Sequence, residues 1–67
     1  MEFVEWQEDL MRELVKKGLP REDLFSVMLV LTKEEKGKKM LASLRESGVL
    51  TPDEIREMAG RIAFAED

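Results

Sequence analysis

Residues 24–31 read Leu-Phe-Ser-Val-Met-Leu-Val-Leu, eight positions of which Ser26 alone is polar. No other stretch limits the possible folds as strongly. Wound into a helix, the run is apolar on every side, whereas a helix lying on a surface needs a single apolar stripe. It therefore predicts a helix enclosed by neighbours, from the same chain or from a second copy. It is far short of the roughly 20 apolar residues that span a bilayer, so no membrane association is expected.

Size sharpens the problem. A chain of 67 residues has room for one domain and buries only about 60% of its unfolded surface, which leaves stability marginal. There is no cysteine and no histidine, so disulfides are excluded and a structural zinc site nearly so. Tight helix packing and oligomerisation remain as supports. Charged residues make up 39% of the chain, with Glu, Lys and Arg prominent, and tyrosine is absent. That mixture favours helices. The expected fold is all-α, a compact bundle of three or four short helices in a single domain, 1–67.

Punctuation places these helices at about 2–17, 20–31, 33–47 and 52–65. In the first, Phe3, Leu10 and Leu14 run beside Val4, Met11 and Val15 at helical spacing, with Trp6 at the edge. Glu8 precedes Arg12, and Glu13 precedes Lys17, by the four residues that favour ion pairs. Gly18 supplies a left-handed stop and Pro20 restarts the chain. The next boundary has two solutions. Thr32-Lys-Glu-Glu35 has the form of a capping box that would start a separate helix. Glu34 with Lys38 and Glu35 with Lys39 suit one continuous helix equally well, and Gly37 costs such a helix only about 1 kcal/mol. Met40, Leu41 and Leu44 form the next apolar face, ended by Gly48, and Val49 and Leu50 are expected to tuck inward. Thr51-Pro-Asp-Glu54 is a capping box with proline at the first helical position, opening a helix whose buried side is Ile55, Met58, Ala59, Ile62 and Ala63. Gly60 lies near that side, as if to admit another helix. Helix, glycine, leucine, proline, helix occurs twice, around Gly18 and around Gly48, as helical hairpins are commonly punctuated.

Little in this composition supports catalysis. The hydroxyls of Ser26, Thr32, Ser43, Ser47 and Thr51 lack a histidine base, and there is no cysteine nucleophile. Ser43 with Lys39 is a conceivable dyad that reads better as an exposed polar face. Glu34 with Glu35, and Glu54 with Glu57, read as helix-start charges and ion-pair partners. Glu5, Glu8 and Asp9 cluster without the glycine-bearing loop of a calcium site. The glycines at 18, 37, 48 and 60 are too dispersed for a phosphate loop. No enzyme activity, metal or cofactor is expected.

Met40 to Ile62 has the outline of a helix-turn-helix. Its second helix opens with Asp53 and Glu54, which would meet phosphates first, and the net charge is −4. The lysines at 33, 36, 38 and 39 alternate with acids and lack aromatics. A DNA-binding regulator using 40–62 is thus the alternative, and no nucleic-acid partner is expected. Glu5-Trp6, Leu10 and Gly18-Leu-Pro-Arg-Glu-Asp-Leu24 resemble the dimerising hairpin of the Sin-type antirepressors, which capture a repressor by pairing with its helices. The resemblance covers under half of the chain, on residues that small helical hairpins generally favour.

The leading expectation is a non-enzymatic protein–protein interaction module, a small regulatory or accessory protein that pairs with itself or with a helical partner. Its candidate surface residues are Trp6, Phe25, Met28, Leu29 and Phe64. No secretory signal follows Met1, and the cytoplasm is the expected location.

Overall fold

Each of the four segments forms an α-helix in the computed structural model, which describes residues 3–65. They are α1 (Glu5–Lys16), α2 (Arg21–Val30), α3 (Glu34–Glu46) and α4 (Pro52–Ala63). The expected start at Glu2 lies outside the described residues. Phe3 and Val4 precede α1, and the Val4 N–H donates to Gln7 Oε1 at 3.0 Å. At the other end Gly18 takes φ +91°. The Leu19 N–H then donates to the Leu14 carbonyl and the Gly18 N–H to that of Val15, both at 3.0 Å. This is a Schellman stop, and Leu14 and Leu19 at its two ends are both buried. The Thr51 box closes as expected: Thr51 N–H donates to Glu54 Oε1 at 2.9 Å, and Glu54 N–H to Thr51 Oγ1 at 3.1 Å.

The second and third helices are separate. Leu31 leaves helical geometry at φ −97°, ψ 72° while its side chain is fully buried. A continuous helix over 21–46 would be about 39 Å long at 1.5 Å per residue, against a longest molecular dimension of 29 Å. It would carry Met40 and Leu44 away from the core they now fill. The expected box at Thr32 does not form, because the residue that caps α3 is Lys33, with no side-chain hydrogen bond.

The helices form a ring: α1 packs on α2 and α3, and α4 packs on the same two. Among the described residues the diagonal pairs, α1 with α4 and α2 with α3, have no backbone contact. Trp6 lies against Gly37, and Lys17 reaches Ser47 and Gly48, so α1 and α3 run in the same sense. Arg56 of α4 meets Asp23 of α2 at 2.7 Å, near the starts of both helices, so these two also run in one sense. The molecule is therefore two similar hairpins laid side by side. A Cα radius of gyration of 10.7 Å matches the roughly 11 Å of a compact chain of this length.

Leu10, Leu14, Leu31, Met40, Leu44 and Ile55 are fully buried at the centre. The enclosure expected for 24–31 does not occur within the chain. Only Val27 and Leu31 of that run are buried, Leu24 and Met28 are half-buried, and Phe25, Ser26, Leu29 and Val30 are exposed. The reason is geometric: α2 has α1 and α4 on its inner side, and no part of the described chain reaches the other. Val15, read as part of the α1 stripe, is also exposed, and Val49 points fully into solvent while Leu50 packs against the core.

Two lysines do work that sequence patterns assigned elsewhere. Lys17, read as the partner of Glu13, donates instead to the carbonyls of Ser47 at 2.7 Å and Gly48 at 3.1 Å. Gly48 was read as the glycine that ends α3, and it does so without the left-handed geometry of Gly18, which alone among the described glycines has positive φ. The carbonyls at the end of α3 are satisfied by Lys17, and Ser47 Oγ donates to the Ser43 carbonyl at 2.7 Å. Lys36, buried to 7% exposure, donates to the Ala65 carbonyl at 2.9 Å beyond the end of α4.

The helical glycines differ sharply. A Cβ on Gly37 would fall within the Trp6 ring, at Cζ3 and Cε3, whereas one on Gly60 would meet nothing within 4 Å. Gly60 is thus no close-packing site, contrary to expectation. Gly37→Ala should lower stability by about 1–3 kcal/mol through overpacking, and Gly60→Ala should raise it by about 0.5–1 kcal/mol. Urea unfolding followed by circular dichroism would check both signs.

Candidate functional site

An apolar groove of about 310 Å³ lies where the exposed side of α2 meets the first half of α1. From α1 come Gln7 and Met11, four residues apart on one face, and Phe3 joins them from the residues before the helix. From α2 come Leu24, Phe25, Met28 and Leu29, with Arg21 at one end and Thr32 just past the other. Arg21, Gln7 and Thr32 are thus its polar members. Phe25 and Leu29 are 65% and 63% exposed, which is unusual for large apolar side chains four residues apart on the same helix. The wall of the groove grades inward through half-buried Leu24 and Met28, which pack on the core. A patch of this kind on a small domain marks an interaction site more often than scattered apolar exposure does.

Of the five candidate surface residues, the groove contains Phe25, Met28 and Leu29. Trp6 lies elsewhere, half-buried against Gly37 and lining a second hollow of about 500 Å³ with Val4, Leu41 and the charged Glu5, Asp9, Glu34 and Lys38. Phe64 is exposed at the end of α4 and is not part of the groove. Phe3 and Met11 were read in the α1 stripe and Leu24 in the enclosed run 24–31, and apolar patterning is the same for a core face and for a groove wall. Only the position of α2 against α1 separates the two.

Several of the polar residues considered for chemistry are engaged in ion pairs and caps. Glu8 and Asp9 both pair with Arg12, at 3.9 and 3.4 Å. Glu34 pairs with Lys38 at 3.2 Å, and Glu54 closes its capping box. Arg56 binds Asp23 and Asp53 together. Among the described residues no three carboxylates converge as a metal site would require, and every buried side-chain nitrogen or oxygen has a hydrogen-bond partner. No helix of the described residues is long and apolar enough to cross a membrane.

The fold and groove define a small all-α domain with an uncovered apolar face. No family model, curated protein or solved structure matches the chain.

The groove also predicts an unusual pattern of stability within one run of eight residues. At concentrations low enough to hold the chain as a monomer, Phe25→Ser should change unfolding free energy by less than about 0.5 kcal/mol, as for ordinary surface sites. Leu31→Ala, six residues on, should cost about 2–5 kcal/mol, as for a fully buried leucine. Equilibrium denaturation of the two variants would show the contrast.

Proposed function

We propose that this protein is a non-enzymatic interaction module that acts by pairing its α1–α2 face with another copy of itself, as a small regulatory or accessory protein. The observation that carries the reading is the exposure of Phe25 and Leu29 on the outer side of α2, beside the groove. A 67-residue chain without disulfide or metal has little stability to spare. Leaving this much apolar surface in water forgoes about 25 cal/mol for each Å² that a partner could cover. A second copy recovers that term twice, because a twofold interface uses the same patch on both subunits. Half-buried Met11 and Met28 add side chains that adapt to a facing surface.

A DNA-binding role for 40–62 finds less support. Arg56, the first basic residue of α4, is engaged by Asp23 and Asp53, and the acids Asp53 and Glu54 open the helix. Phosphate contact needs cations at that end.

Sedimentation equilibrium from micromolar to millimolar concentration is the direct test. The expected outcome is a reversible approach to twice the chain mass, with Leu29→Glu weakening association at least about tenfold because it buries an unpaired charge. A wild-type chain that stays monomeric throughout the range would overturn the proposal.

A further inference from the structure

Resting on that self-association reading, we infer that the pairing element is α2 itself, crossing α2 of the second copy in the opposite sense, with Glu22 of each subunit facing Lys33 of the other. Glu22, Phe25, Ser26 and Leu29 follow the spacing i, i+3, i+4, i+7, which aligns them in one stripe. All of them are exposed, and Val27 and Leu31 on the other side are buried. The stripe is apolar in its middle and acidic at its start, and just beyond its end the connection to α3 carries the exposed Lys33. Laid on a parallel copy, it would set Glu22 against Glu22 and Lys33 against Lys33. Laid antiparallel, it sets each acid against a base and brings Phe25 of each copy to Leu29 and Val30 of the other.

Further observations favour this arrangement. The neighbouring charges are already committed within the chain: Asp23 to Arg56, and Glu34 to Lys38. Among the described residues, Glu22 and Lys33 have no ion-pair partner. Arg21 turns aside from the stripe to line the groove on the α1 side. Antiparallel packing also places the positive start of each α2 beside the negative end of the other, whereas parallel packing opposes like ends. Ser26, the one small residue of the stripe, sits near its midpoint, where two crossing helices come closest. The polar interruption in 24–31 therefore falls where close approach needs it.

Charge reversal on the full chain separates the arrangements, with far-ultraviolet circular dichroism showing that the exposed substitutions leave the fold intact. In the antiparallel dimer, Glu22→Lys and Lys33→Glu each replace two attractions by two repulsions. Each should raise the dimer dissociation constant about three- to tenfold at low salt, as expected for rim charges. The double variant, and an equimolar mixture of the two single variants, should return to nearly wild-type affinity, the mixture as a heterodimer. A wild-type dimer indifferent to these changes, or a mixture that gains nothing over the single variants, would overturn the antiparallel seam while leaving self-association standing. Parallel pairing has its own signature, in which Glu22→Lys binds wild type more tightly than either binds itself. A monomeric wild type would instead remove the reading beneath both.

Discussion

The seating of Trp6 on Gly37 governs how closely α1 can approach α3, and the rest of the bundle is referred to that approach. The indole occupies the volume that any side chain at position 37 would need. With the two backbones drawn together there, Leu10 and Leu14 of α1 and Met40 and Leu44 of α3 are fully buried along the same pair of helices. Their pairing is the most extensive in the molecule. A glycine that weakens α3 as an isolated helix is thus favourable in the folded chain, because the close contact it permits outweighs a propensity cost of about 1 kcal/mol.

The open ends of this arrangement are held by lysines that reach between helices. Lys17 serves the carbonyls at the end of α3, and Lys36 a carbonyl beyond the end of α4. Helix C-termini carry unpaired carbonyls and a partial negative charge, which a cation satisfies on both counts. The Lys36 contact closes the α3–α4 hairpin on itself, whereas the Lys17 contacts, between residues about thirty positions apart, link the two hairpins. The Arg56 to Asp23 pair does the same at the starts of α2 and α4. Each exposed contact contributes little by itself, but together they set the two hairpins side by side in one sense.

That placement decides the exposure of α2. A helix in a ring of four has two neighbours and one outer side, and α2 carries apolar residues there as well as within. The same geometry that completes the core around Val27 and Leu31 leaves Phe25 and Leu29 in water. The uncovered groove and the central core are two consequences of one packing choice, and the proposed function follows from the first.

What the sequence determined was local: four helices, and the stops and starts whose chemistry is complete within a few residues. Gly18 with Leu19, and Thr51 with Glu54, are legible because the partners of each bond they make lie no more than five residues apart. Of the groove's six apolar residues, Phe25, Met28 and Leu29 were legible as candidate surface from apolarity alone. Trp6 and Phe64 were not brought to the groove, and Phe3, Met11 and Leu24 could not be told from core residues. The tertiary structure decided everything that depends on distance along the chain: the break at Leu31, the reassignment of Lys17 from Glu13 to the end of α3, the role of Gly37, and which side of α2 stays open. Periodicity states that a face is apolar, but only the packed neighbours state whether that face is covered.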